Sequence, residues 1–76
     1  MKKEDFIHNF ALQFDETEES AFIFETRFRD LDEWSSLNAL AILNMIEKKY
    51  GVLLKADDIK NINTIEELFD LVKSKS

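Results

Sequence analysis

The sequence contains one glycine, Gly51, and no proline, so it nearly lacks the residues that most often make tight turns. Strand-rich folds depend on many such turns, whereas helices can be joined by ordinary polar connectors. Apolar residues make up 45% of the 76 positions and include seven phenylalanines, enough for one compact core. Without cysteine, no disulfide can supplement that core. These features predict a single all-α domain over residues 1–76.

The first helix is predicted between Lys3 and Phe14, where apolar residues recur at steps of three and four. The next segment, residues 15–33, is long for a loop in so small a domain but contains several large apolar side chains. Phe22, Phe24 and Phe28 alternate as in a strand, yet no second segment is available to pair with them. We therefore expect an ordered loop that packs over the helices.

The second helix is predicted to begin near Ser35, whose hydroxyl is expected to accept a hydrogen bond from a first-turn amide. It is predicted to end at Tyr50, with Gly51 as a left-handed stop. The face expected to turn to the core contains Ala39, Ile42, Leu43, Ile46 and Tyr50. The opposite ridge contains Leu37, Ala41, Asn44 and Lys48, flanked by Leu40 and Met45. Such a helix is either buried on several sides or presents a docking stripe.

Two further helices are predicted in the last third of the chain. A short third helix is expected over residues 57–61, and a fourth begins at Thr64, where Thr64 and Glu67 form a capping-box pattern. The predicted fold is therefore a small four-helix bundle with three main helices, a short helix III and a long ordered loop between helices I and II.

The net charge of −6 is concentrated in residues 15–33, which contain eight acidic residues and two arginines. The other residues contain eight acids and eight lysines, which cancel. No basic face is available for a nucleic-acid backbone, so we expect no nucleic-acid partner. The acidic segment either attracts a basic partner to this end of the domain or is simply a solvated loop.

The chain contains no glycine-rich phosphate loop, no HExxH motif and no cluster of metal ligands. Its one histidine, His8, is expected on the surface without a chemical role. We therefore expect neither catalysis nor a bound metal, and a hydrolase that uses Ser36 would lack a base. What remains is a pair of serines, Ser35 and Ser36, at the beginning of an apolar helix.

A set of positions between Thr26 and Lys73 matches the pattern of one family. These positions are Phe28, Leu31, Trp34, Ser36 with Leu37, Tyr50 with Gly51, Asp57 with Asp58, and the run from Thr64 to Leu68. In these residues the chain resembles the acyl carrier and peptidyl carrier proteins, which bind phosphopantetheine. The first helix and the residues that follow it to Thr17 also fit, so the resemblance spans nearly the whole chain.

The resemblance implies that 4′-phosphopantetheine, supplied by coenzyme A, is attached to Ser36, because the modified serine of that family precedes a leucine at the start of helix II. The chain departs from the family at Ser35, where aspartate is usual, and the tandem leaves two candidate hydroxyls. A phosphodiester here would lie beside unpaired amides at the positive helix end. The resemblance also implies a cargo cavity lined by Phe28, Ile46, Ile59, Ile62 and Phe69, and partner-facing residues Leu37, Asn38, Ala41 and Met45. For Met45 the alternative is plain packing in the core.

The function expected from the resemblance is that of an acyl carrier protein, which presents an acyl or aminoacyl thioester to partner enzymes in a pathway such as fatty acid biosynthesis. The expected partners are a phosphopantetheinyl transferase and the enzymes that load and process the cargo. No signal-peptide core or membrane span is visible, so we expect a cytoplasmic monomer. The alternative is an unmodified helical module that docks a partner through the helix II ridge.

Overall fold

The computed structural model describes residues 1–76 and contains four α-helices and no named strand. The helices are α1 (Lys3–Ala11), α2 (Ser36–Tyr50), α3 (Ala56–Ile59) and α4 (Ile65–Lys75). Two short 3-10 turns, Glu19–Ala21 and Phe28–Asp30, lie in the connection between α1 and α2. The prediction of a small all-α bundle with three main helices, a short third helix and a long ordered loop is confirmed. None of its helices is both long enough and apolar enough to cross a membrane.

Helix α1 ends three residues earlier than its apolar pattern predicts. The amides of Gln13 and Phe14 donate to the carbonyls of Phe10 and Ala11, at 3.1 and 3.0 Å. These bonds span three residues instead of four, so the chain tightens from α-helix into a 3-10 type turn. Phe14 is still buried, because the tighter turn keeps it on the side of the core.

The connection between α1 and α2 is packed on the helices, as predicted. Phe22 and Phe28 are buried, and Phe24 is half-buried against the core. The connection also touches the beginning of α4, where the Ile65 amide donates to the Thr26 carbonyl at 3.2 Å. Only one isolated antiparallel bridge, Arg27 with Thr64, forms here. The alternating phenylalanines therefore do not form a strand.

Both ends of α2 lie where the sequence places them. Ser35 is extended and precedes the first helical residue, while Gly51 ends the helix with a φ of 68°. A left-handed φ is costly for residues that have a Cβ atom, so glycine is favoured at this stop. Helix α2 passes the C-terminal part of α1 in the opposite direction, because Tyr50 at its end bonds to Asn9, and Asn38 in its first turn bonds to Gln13, four residues further along the chain.

The short helix α3 occupies residues 56–59 instead of the predicted 57–61, and α4 has the predicted capping box. The Thr64 hydroxyl accepts from the Glu67 amide at 3.1 Å, and the Glu67 carboxylate accepts from the Thr64 amide at 3.1 Å. The Asn63 amide donates to the same carboxylate at 2.7 Å. These bonds from Asn63 and Thr64 lower the pKa of Glu67.

The connection is also held by Glu33, which lies three residues before Ser36. Its carboxylate accepts from the Asp15 amide at 2.7 Å, the Glu16 amide at 3.0 Å and the Thr17 hydroxyl at 2.7 Å. The Thr17 hydroxyl lowers the pKa of Glu33 most; partial loss of water opposes this, and the backbone amides lower the pKa further. The net effect is a pKa below the ordinary value, so the charged form holds residues 15–17 against the approach to α2.

We predict that Glu33→Gln destabilises the protein near neutral pH, because an amide offers one acceptor oxygen where the carboxylate uses two. A carboxyl group whose pKa falls on folding stabilises the folded state above its unfolded pKa, about 4.3 for glutamate. That contribution disappears as the pH falls through the lower pKa of the folded state. Urea unfolding of both proteins should therefore show a difference that is constant from about pH 7 to pH 5 and shrinks as the pH falls below about 4.3.

The matched control is Glu18→Gln, which removes the same charge from the same segment but no side-chain hydrogen bond within the chain. It should change the stability less than Glu33→Gln at neutral pH. Equal effects of the two substitutions across the pH range would show that Glu33 acts only through the charge of the segment.

Candidate functional site

Ser36 is the first residue of α2 and follows the extended residue Ser35. The backbone changes from extended to helical at this point, so Ser36 lies on the exposed beginning of the helix. Its hydroxyl makes no hydrogen bond within the chain. The oxygen of Ser36 is therefore accessible to another molecule.

Ser35 does not cap α2 as predicted. Its hydroxyl donates to Asn38 Oδ1 at 2.9 Å and accepts no hydrogen bond from a first-turn amide. The Ser35 hydroxyl is instead oriented by its donation to the Asn38 side chain, three residues further on. The structure thus distinguishes the two serines: the hydroxyl of Ser35 is engaged, and the hydroxyl of Ser36 is free.

The predicted partner-facing residues differ widely in exposure. Leu37 is 78% exposed, and Leu40, one turn further along, is 62% exposed. Ala41 is half-buried. Asn38 is also half-buried, and its amide donates to the Gln13 carbonyl at 3.2 Å. The exposed apolar part of the ridge therefore consists of Leu37 and Leu40.

The prediction that Met45 faces partners is wrong, because Met45 is only 5% exposed and belongs to the core cluster. At about 100° per residue, Met45 lies about 60° around the helix from Ile42, which is fully buried. A long unbranched side chain at the edge of a buried face can follow its neighbours inward. The core face of α2 is therefore wider on this side than the apolar pattern predicts.

Trp34 packs into the domain instead of projecting from it. Its ring lies 5.0 Å from the ring of Phe28 and 6.3 Å from that of Phe14, measured between centroids. The Arg29 guanidinium lies 5.8 Å from the Trp34 ring and donates to the carbonyls of Ile62 and Ile59. Arg29 therefore connects the end of α3 to the aromatic packing immediately before Ser36.

A pocket of about 390 Å³ lies within the connection between α1 and α2. It is lined by Glu16, Thr17, Leu31, Asp32 and Glu33. The five residues expected to line a cargo cavity lie elsewhere: Phe28, Ile46, Ile59 and Phe69 are buried and Ile62 is half-buried in the packed core. The pocket is therefore acidic, is formed by residues of the connection that precede Ser36 in the chain, and is not a space between the helices.

Three of the acidic side chains in residues 15–33 form ion pairs or hydrogen bonds within the chain. Asp30 pairs with Arg27 at 3.3 Å, Glu19 lies 3.6 Å from His8, and Glu33 is occupied by residues 15–17. The other acidic residues of the segment are exposed: Asp15, Glu16, Glu18, Glu25 and Asp32. Their negative charge is therefore exposed on this segment. No group of three or more acidic, histidine or cysteine side chains is placed to hold a metal ion.

Sequence reasoning missed the roles of Glu33 and Arg29. Glu33 bonds to residues 16 to 18 positions away, and Arg29 bonds to carbonyls 30 and 33 positions away. Local periodicity gives no signal for contacts of this kind. The one available signal for Arg29 was its isolation, since only two cations lie in the acidic segment.

Comparison with known proteins gives a match to a model of the phosphopantetheine attachment site family over residues 15–72. That range contains Ser36, the packed connection, α2, α3 and most of α4. No curated protein and no solved structure matches the chain. Carrier domains of the matched family are in general non-catalytic and interact with transferases and acyl-processing enzymes. Because the match covers more than half of the chain, the protein belongs to the phosphopantetheine attachment site family, whose members hold 4′-phosphopantetheine covalently.

Proposed function

We propose that the chain is an acyl carrier protein that bears 4′-phosphopantetheine on Ser36 and carries an acyl or aminoacyl group on that arm. The observation that supports this most directly is the exposed, unpartnered hydroxyl of Ser36 at the beginning of α2, within the region matched by the family. The neighbouring Ser35 hydroxyl is already hydrogen-bonded to Asn38, which favours Ser36 as the site of attachment.

The surroundings of Ser36 fit a phosphodiester. No side chain caps the first-turn amides of α2, and the positive end of a helix favours a negative charge at this position. No side chain of the chain is bonded to the Ser36 oxygen as a base, so we assign activation of the hydroxyl to the transferase. When bound, the arm supplies a terminal thiol that holds the cargo as a thioester.

In this function the protein acts on no substrate itself. We propose a cytoplasmic monomer that meets a phosphopantetheinyl transferase first, and afterwards the enzymes that load and process its cargo, as in fatty acid biosynthesis. Leu37 and Leu40 provide an apolar contact beside the arm, and the exposed carboxylates of residues 15–32 provide longer-range attraction for basic partners. The acidic segment thus speeds the first approach of a basic partner, and the two leucines stabilise the complex once the partner is bound.

We expect the intact mass of the protein to rise by one phosphopantetheine group after incubation with coenzyme A, magnesium and a broad-specificity phosphopantetheinyl transferase. Ser36→Ala should abolish the gain, because it removes the only free hydroxyl at the beginning of α2. Ser35→Ala should still be modified, since Ser35 is not the attachment residue. Intact-protein mass spectrometry measures all three proteins.

The proposal fails if the wild-type protein gains no mass, or if the gain persists in Ser36→Ala. The first result would favour the alternative of an unmodified interaction module. The second would move the attachment to another residue, and fragmentation of the modified peptide would locate it.

We predict that Leu37→Ala raises the KM of the transferase for the protein by about five- to thirtyfold, the factor that corresponds to about 1–2 kcal/mol of lost contact energy. Leu53→Ala is the matched control, because Leu53 is 68% exposed but lies beyond Gly51, at the opposite end of α2 from Ser36. It should leave KM within about twofold of the wild-type value. Initial rates at varied protein concentration give both values.

Charge at the ridge itself should matter less than its leucines. Glu47→Lys reverses an exposed charge further along α2, and we expect a smaller change in KM than that of Leu37→Ala. A larger change in KM for Glu47→Lys than for Leu37→Ala would show that the transferase recognises charge on this helix more than apolar contact.

A further inference from the structure

Residues on both sides of Ser36 contact the same short segment after α1. Before Ser36, the Glu33 carboxylate holds residues 15–17 and the Trp34 ring stacks on Phe14. After Ser36, the Asn38 amide donates to the Gln13 carbonyl at 3.2 Å. Ser36 itself has no contact of this kind. Its position is therefore set by neighbours that are fixed to residues 13–17.

Asn38 lies two residues after Ser36, and both the oxygen and the nitrogen of its side-chain amide form hydrogen bonds. Oδ1 accepts from the Ser35 hydroxyl at 2.9 Å, while Nδ2 donates to the Gln13 carbonyl. Rotation of the amide by half a turn would place Oδ1 against the Gln13 carbonyl oxygen, where two acceptors repel. The Gln13 carbonyl thus fixes the orientation of the Asn38 side chain, and Asn38 fixes the first turn of α2 on the end of α1.

We infer that Asn38 is a positioning residue for the attachment of phosphopantetheine to Ser36. This inference rests on the proposed function and identifies the contact that orients its serine. Asn38 holds the first turn of α2 against Gln13, so the Ser36 hydroxyl reaches the transferase from a fixed direction. In this transfer the Ser36 oxygen bonds to the phosphorus of the phosphopantetheine, the pyrophosphate bond of coenzyme A breaks, adenosine 3′,5′-bisphosphate leaves, and the hydroxyl proton passes to the transferase. The attacking oxygen has to be aligned with the bond that breaks, and small misplacements of an attacking atom slow such reactions strongly.

The chain provides a matched control for this contact at the other end of α2. Asn9 Nδ2 donates to the Tyr50 hydroxyl at 3.0 Å, so it also ties α1 to α2 through one hydrogen bond of an asparagine amide. Both asparagines are half-buried. The Asn9 contact lies at the end of α2 that is remote from Ser36, so it shares the structural role of Asn38 without the proximity to Ser36.

The test compares Asn38→Ala with Asn9→Ala in the transferase reaction with coenzyme A, with thermal unfolding measured on both. We expect Asn38→Ala to lower kcat on the order of tenfold, less than the roughly hundredfold that a displacement of about 1 Å can cost. KM should change little, because Leu37 and Leu40 remain in place. Asn9→Ala should lower the melting temperature similarly and leave kcat at the wild-type value.

Asn38→Asp keeps the size of the side chain and its acceptor for Ser35 but cannot donate to the Gln13 carbonyl. A carboxylate in the first turn favours the helix, so this variant should retain α2 and still show the loss in kcat. The inference is overturned if Asn38→Asp retains the wild-type kcat, or if Asn38→Ala and Asn9→Ala have equal kcat. Failure of the proposed function is distinct, because in that case the wild-type protein gains no mass.

Discussion

Burial of the phenylalanine face of α1 is the interaction on which the rest of the structure depends. Phe6 and Phe10 have no exposed surface and contact rings from elements throughout the chain. The Phe6 ring lies 5.6 Å from Tyr50 at the end of α2 and 5.5 Å from Phe69 in α4. The Phe10 ring packs against phenylalanines of the connection, which place that segment beside the attachment region. A domain of 76 residues without a disulfide needs such large side chains to bury enough apolar surface.

The elements with a local signal were predictable from the sequence, and the contacts between them were not. The left-handed stop at Gly51 and the Thr64 capping box follow from residues a few positions apart, and both are present. The identity of Ser36 as the free hydroxyl depends instead on Asn38, whose side chain competes for Ser35. Met45 shows the same limit, since an apolar residue at the edge of a helix face is assigned to the core only by its neighbours.

The connection between α1 and α2 is strongly acidic and is nevertheless packed against the helices. It concentrates the net charge of the chain, and repulsion among like charges favours an extended, solvated segment. The buried rings of Phe22 and Phe28 hold it to the bundle. The Glu33 carboxylate, one of its charged groups, accepts three hydrogen bonds from residues 15–17. The remaining carboxylates therefore lie on a surface of fixed shape, and their potential is available to partners at a defined place beside Ser36.

The first turns of helix α2 contact the core, the solvent and the segment after α1. The third contact explains why the polar residue Asn38 lies among apolar residues there. Ile42 faces the core and Leu37 faces solvent, so apolar side chains occupy both sides of the helix. Asn38 lies between these directions, where the helix meets the turn that follows α1. An apolar residue there would add buried surface but would leave the Gln13 carbonyl, which lies beyond the helical bonds of α1, without its donor from α2. The asparagine thus gives up some apolar burial for a fixed junction, and this junction, together with the contacts of Glu33 and Trp34, gives Ser36 a defined direction.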